Sequence, residues 1–276
     1  MSVFDKAASK KVLFVGERIT DVYHYGRLIG RPPKEPIICI EHQDTQTFQG
    51  GVTAAAEHAR SFVEVVDISS SVEIRKERFL EQSHYRKLFE MYSGRNTVDL
   101  SLPRLSDYDA VIVTDYGHGM ITPDLIRQLD AARYLAVNVQ TNSGNYGFNL
   151  ATKYQAVDYL CVDELEARLA TQNPDGPIEE SLEKLSLIAP YVVITVGKNG
   201  AIGTDHSNIY SAPALTNRIV DTMGAGDAFF SVSACIAEDC SLSDLLDIGN
   251  AAGALKAQSL GQKQVIKEDL LVYLKG

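Results

Sequence analysis

The run Asp221-Thr222-Met223-Gly224-Ala225-Gly226-Asp227 carries the densest chemistry in this chain of 276 residues. Two glycines flank an alanine, an aspartate closes the run, and Ala228-Phe229-Phe230 follow at once. Ala228, Phe229, Val232, Cys235 and Ile236 then recur at helical spacing, which predicts a helix with one apolar face. A glycine-rich turn that opens a helix points unpaired backbone N–H groups outward and adds the positive end of the helix dipole. Such a turn is an anion site. Asp227 falls in the first helical turn. An acid set against an anion is costly unless it works, for example by taking a proton from a hydroxyl that attacks a phosphate. The alternative is an N-terminal acid that only stabilises the helix.

Several other residues stand where a sheet would present them to a ligand. Val12-Leu13-Phe14-Val15-Gly16 reads as a buried parallel strand, and Asp21 lies just past its carboxyl end, where α/β sheets bind ligands. A loop or capping acid is the other reading of Asp21. Gly50 and Gly51 open an Ala-rich helix, either to let a ligand approach the backbone or simply to turn the chain. Val22–Gly26, Ile37–Glu41, Thr45–Phe48, Val72–Leu80 and Tyr85–Tyr92 read as strands of a separate small sheet, with Glu81 to His84 as a turn. Strand alternation puts Lys76 and Arg78 on one face and Arg75 on the other.

From Asp109 onward strands and helices alternate, which specifies a mostly parallel sheet covered on both faces. Expected strands are Val63–Asp67, Val111–Thr114, Leu135–Val139, Asp158–Cys161, Tyr191–Val196, Ala201–Gly203 and Asn208–Ser211. Expected helices are Thr122–Arg133, with Thr122-Pro123 as cap and first residue, Asp163–Thr171, Ile178–Ala189, and Ser243–Gln258 with a stop at Gly261. Asp269–Leu274 closes the chain. The sequence has neither a Walker A run nor a dinucleotide glycine spacing after the first strand, so the anion site belongs to another phosphate-binding design.

Composition narrows the partners. A formal charge of −10 argues against nucleic acid or an anionic membrane, which need a basic surface. The four cysteines form no C-x-x-C pair and the histidines no ligand spacing, so reduced thiols and no metal site made by protein ligands are expected. No apolar leader or 18-residue apolar run is present, which leads to the expectation of a cytoplasmic protein, one domain over 1–276.

These residues carry a family likeness. Asp221 through Asp227 resembles the signature of the ribokinase (PfkB-type) sugar kinases, and Gly50-Gly51 resembles their N-terminal glycine motif. Val15-Gly16, Asp21-Val22-Tyr23, Tyr25-Gly26, Pro33-Lys34-Glu35-Pro36, Asp115-Tyr116-Gly117-His118-Gly119 and Asn250-Ala251-Ala252-Gly253 look, in that order, like the kinases of D-glycero-D-manno-heptose 7-phosphate. The resemblance implies a three-layer α/β/α core with eight or nine strands. A small β lid, near 22–48 and 72–92, would often serve as a dimer interface. It implies ATP with Mg²⁺ as donor and a sugar or sugar phosphate as acceptor. By the same likeness Asp227 would be the general base and Gly224, Ala225 and Gly226 the anion hole. Asp21, Gly50 and Gly51 would bind the sugar. Thr195, Gly197 and Gly200 would lie along the nucleotide, Asn250 near the adenine, and Glu164 in the Mg²⁺–phosphate water network. The sequence departs from that pattern at Ala54, Cys161 and Asn138, where the family usually has Asn, Asn and Asp. The link between Asp67 and Val72 is also short. These departures motivate a second reading, a kinase fold kept as a binding or scaffolding domain.

Overall fold

Short aliphatic runs without helical spacing become strands buried on both faces. The computed structural model describes residues 2–83, 86–94, 100–216, 218–259 and 263–275. His84, Tyr85 and Gly261, named above, lie outside the described residues. In chain order the first half runs α1 (Val3–Ala7), β1 (Lys11–Gly16), β2 (Arg18–Gly30), β3 (Cys39–Gly51), α2 (Val52–Ala59), β4 (Val65–Ser69), β5 (Glu73–Glu81) and β6 (Arg86–Ser93). The second half runs β7 (Ala110–Asp115), α3 (Pro123–Leu129), β8 (Leu135–Val139), β9 (Tyr159–Asp163), α4 (Glu164–Thr171), α5 (Ile178–Leu185) and β10 (Tyr191–Thr195). It ends with β11 (Ala201–Thr204), β12 (Ile209–Ala212), α6 (Ala225–Ile236), α7 (Leu242–Ala257) and α8 (Lys267–Tyr273).

Among the described residues, eight strands form the main sheet in the order β12-β11-β10-β9-β8-β7-β1-β4. It is parallel from β4 through β10, while β11 and β12 add an antiparallel edge. One apolar core, containing Phe14, Phe62, Phe230 and Leu246, lies under α1, α2, α6, α7 and α8. A second, containing Leu13, Val137, Leu160 and Leu182, lies under α3, α4 and α5. The result is the expected three-layer α/β/α arrangement. Strands β3, β2, β5 and β6 form a separate four-stranded sheet, in that order.

Where the elements differ from the sequence reading, packing explains it. Helix α6 buries every residue from Ala228 to Ile236, so it has no polar face. It is enclosed by α2, α7 and the sheet, and the buried Ser233 hydroxyl is satisfied by Tyr159 Oη at 2.9 Å. Strand β4 runs two residues later than expected, because pairing starts with Lys11 opposite Val65. The segments Ile37–Glu41 and Thr45–Phe48 fall along a single strand, β3, held along its length by β2. Helices α3 and α5 stop early, in tight turns such as Ala132 N to Leu129 O and Ile188 N to Leu185 O.

Parallel pairing aligns the carboxyl ends of β1, β7, β8, β9 and β10. Glu17, Tyr116, Gln140, Glu164 and Val196 follow directly from those ends. The amino end of α6 comes to the same side, since Tyr116 and Gln140 both reach Asp227. A parallel α/β sheet gathers ligand-binding groups at this edge.

Candidate functional site

Gly224 caps α6 in the left-handed conformation, with φ 74° and ψ 6°, a geometry that favours glycine. The turn therefore delivers the helix start without strain. Ala225 donates its N–H to Thr222 O at 3.1 Å. Among the described residues, the N–H groups of Gly224 and Gly226 have no such acceptor and remain available to an anion. A side chain at Gly226 would meet open space, so this face of the turn is accessible.

Asp227 is half-buried in the first turn of α6. Its Oδ1 accepts from Gln140 Nε2 at 2.7 Å and from Tyr116 Oη at 3.0 Å. Burial pushes the carboxyl above the ordinary aspartate range. The two hydrogen bonds and the Lys76 charge oppose this, and Asp21 adds to it. Both donors follow the ends of strands, β7 for Tyr116 and β8 for Gln140, and both fix one carboxylate oxygen.

Sequence reasoning quoted Tyr116 only as part of a motif and gave no role to Tyr116, Gln140 or Glu17. The signal was present in their positions directly after buried strands. Glu17 is fully buried and accepts backbone N–H bonds from His118 at 3.0 Å, Tyr116 at 3.2 Å and Met120 at 3.4 Å. Burial, aided by the nearby Asp115 charge, raises its pKa to about 7. Asp115 is buried too. It binds Tyr154 Oη at 2.9 Å, Gly117 N at 3.1 Å and Asn149 Nδ2 at 3.2 Å, and it pairs with Lys153. Together these acids shape the loop that presents Tyr116.

The small sheet supplies the opposite wall. Asp21, on β2, is buried and paired with Arg78 of β5, which also binds Glu90 at 3.0 Å. A side chain on Gly50 would come within 2.5 Å of Asp21 Oδ2, so that glycine makes room for the carboxylate. Gly51 has φ +61° and caps α2. The strand-face reading of β5 is observed: Lys76 and Arg78 turn inward, while Arg75 pairs with Glu77 outside. Lys76 is buried, its ammonium lies 5.4 Å from the Tyr92 ring centre, and burial lowers its pKa against the pull of Asp21, Glu90 and Asp227. Arg86 is exposed and pairs across the hairpin from Glu81. Tyr23 and Met223 touch, which joins the small sheet to the glycine turn.

On the other side of the turn lies a cleft of about 730 Å³. Thr195, Gly197, Gly200, Asn250 and Glu164 all line it, together with Ala225 and Gly226. Gly200 has φ +92° and abuts Ala212 O, which leaves no space for a side chain. Asn250 donates to Ala212 O at 3.1 Å and Pro213 O at 3.3 Å, so its amide holds the cleft wall. Glu164 Oε1 is bound by Arg168 at 2.9 and 3.0 Å. Of the three departures, Ala54 and Cys161 are buried, and Asn138 bonds Cys161 O at 2.8 Å between strands. Among the described residues no group of three or more His, Cys, Asp or Glu could hold a metal ion, and no helix is long and apolar enough to cross a membrane.

Residues 131–268, half of the chain, match the pattern of the pfkB family of carbohydrate kinases. The chain is 26% identical over 174 residues to the bifunctional protein HldE of Campylobacter jejuni, which covers 60% of this chain and 37% of that protein. The chain thus spans little more than a third of that relative's length. HldE of Hyphomonas neptunium is 22% identical over 320 aligned residues, covering 99% of this chain and 65% of that protein. Among solved structures, ribokinase of Thermotoga maritima superposes with a TM-score of 0.77 at 17% identity, covering 97% of this chain and 100% of that one. Arabidopsis thaliana ribokinase complexed with ribose and ATP gives 0.75 at 18% identity, covering 97% and 99%. These structural likenesses show a ribokinase-like fold.

Proposed function

Because the chain belongs to the pfkB family of carbohydrate kinases, we propose that it transfers the γ-phosphoryl group of ATP to a hydroxyl of a sugar or sugar phosphate, with Asp227 as general base. The observation that carries this reading is the convergence at α6. Asp227 faces the small sheet, while Ala225 and Gly226 line the cleft behind it. The cleft would hold ATP, with its phosphates directed at the turn. The acceptor would lie between Asp21, Gly50, Gly51 and Asp227. Asp227 takes the hydroxyl proton, the acceptor oxygen forms a bond to the γ-phosphorus, and the bond to the bridging oxygen breaks. ADP leaves with that electron pair. The Gly224 and Gly226 N–H groups carry the developing charge, and Ala225 joins them if its bond to Thr222 opens. Such transfer rests on positioning and charge stabilisation.

Asp163 and Glu164 place two carboxylates at the cleft edge, hard oxygen donors of the kind Mg²⁺ takes directly or through its waters. Mg²⁺ held there would neutralise charge on the nucleotide phosphates.

A phosphorylated acceptor is favoured by two inward-turned cations of β5, the buried Lys76 and the part-buried Arg78. Arg78 already bridges Asp21 and Glu90, and Lys76 stands beside it. A heptose 7-phosphate is the first candidate, given the HldE relatives. The exposed Leu28, Ile29, Ile38, Phe89 and Met91 of the small sheet and its flanking loop fit a homodimer through this region, which would run as twice the chain mass in light scattering. The decisive assay is ADP release over neutral sugars and sugar phosphates, including D-glycero-D-manno-heptose 7-phosphate. Turnover is expected to be most efficient on a phosphate-bearing acceptor. Lys76→Met should cost about tenfold in kcat/KM there and much less on neutral sugars. ATP binding in calorimetry without turnover on any acceptor would instead favour the binding-domain reading, which the Arg78 pairing of Asp21 makes physical sense of.

A further inference from the structure

Lys256 lies in the last turn of α7 and is 1% exposed. Its ammonium has no hydrogen-bond partner among the described residues. An unpaired buried ammonium is costly, and neither core packing nor the transfer chemistry described above uses it. Its neighbours are informative. Ala254 and Ala257, on either side of it, line the nucleotide-sized cleft. Ala257 O accepts the N–H groups of Val220 at 2.8 Å and Asp221 at 3.1 Å, so the end of α7 tethers the glycine turn where that turn begins. The opposing charges that act on Lys256 are Asp221 and Asp227, the two ends of the turn. Another basic group near it is His58 of α2. That ring accepts Val265 N–H at Nδ1, and burial holds it neutral, with a pKa of about 4. Among the described residues, an unpaired buried amine, its pKa lowered by burial against the pull of those two acids, therefore stands behind the glycine turn.

We propose that Lys256 is a positioning residue, a built-in cation that holds the Asp221–Asp227 turn in its anion-binding form and adds positive potential where phosphoryl charge develops. In a water-poor interior such a charge acts over longer range than at the surface. This inference rests on the kinase reading of the same turn. It also separates stability from activity, because the charge costs the fold what it gives the site.

The test compares the parent with Lys256→Met, which keeps length and loses charge, and with Lys256→Ala. The Met variant is expected to melt no lower than the parent while its kcat for ATP-dependent transfer falls about tenfold or more. Methylamine should restore part of the kcat of the Ala variant and leave the parent unchanged. Parent-like kcat in a folded Met variant overturns the proposal. So does a Met variant that melts below the parent, because Lys256 would then serve the fold. Absence of methylamine rescue in a folded Ala variant also counts against it. If the parent itself turns over no acceptor, the kinase reading fails, and that result is distinct from each of these.

Discussion

Replacing Asp227 with Asn is expected to lower kcat about 10²- to 10⁴-fold, the range that a lost general base costs. The shape of the site survives the change. Asn keeps an oxygen to accept from Gln140 Nε2 and Tyr116 Oη, now at 2.7 and 3.0 Å. The loss should therefore fall on kcat, with KM for ATP nearly unchanged, because the nucleotide cleft is lined by other residues. Thermal stability should hold or rise, since burial already works against the charged carboxylate. The pH profile of the parent gives a second check. The proposed base would act as the carboxylate, and the pKa of Asp227 is raised. Activity should thus fall with falling pH through a value above the ordinary aspartate range, and Asp227→Asn should lack that limb. Steady-state kinetics of both proteins across pH measures this. Equal turnover in the mutant would remove Asp227 from the mechanism.

Glu17→Ala is expected to be the most damaging single change away from the reacting atoms. It leaves the N–H groups of Tyr116, His118 and Met120 without their buried acceptor. A buried donor left unsatisfied costs about 1–3 kcal/mol, so a total near 3 kcal/mol or more should appear in urea unfolding. Activity should fall as well, because the loop that loses its anchor carries the Tyr116 hydroxyl to Asp227. Glu17→Gln keeps one acceptor oxygen and should lose roughly half as much. The two variants also differ from the parent in pH dependence. The folded pKa of Glu17, about 7, lies above its ordinary value of 4.5. Between those values the folded protein keeps a proton that the unfolded chain has released. This contribution to stability is therefore full at low pH and declines as pH rises toward 7. Melting temperatures followed over that interval should decline less for Glu17→Gln than for the parent. Parallel curves would show that Glu17 does not titrate with folding.

The glycine turn and the helix start that follows it were readable from local sequence because they depend on local geometry. Gly224-Ala225-Gly226-Asp227 is one turn and one helix start, and both its N–H donors and its acid come from adjacent positions. The alternation of strands and helices likewise specified a mostly parallel sheet, since a parallel pair requires a crossover. That Lys76 and Arg78 share one face of β5 followed from the two-residue strand period, whereas the inward turn of that face, in place of a solvated one, came from packing.

Tertiary structure decided what surrounds that turn. Helix α6 looked amphipathic, yet it is buried all round, because burial depends on how many neighbours pack against a helix. The hydrogen bonds that aim Asp227 come from residues 111 and 87 positions away, Tyr116 and Gln140, which only the sheet register brings together. The pairing of Asp21 with Arg78 joins β2 to β5 across 57 positions. The burial of Lys256 likewise depends on α7 packing behind the turn. A sequence lists which groups can ionise. Desolvation and distance, which decide what those groups do, are properties of the folded chain.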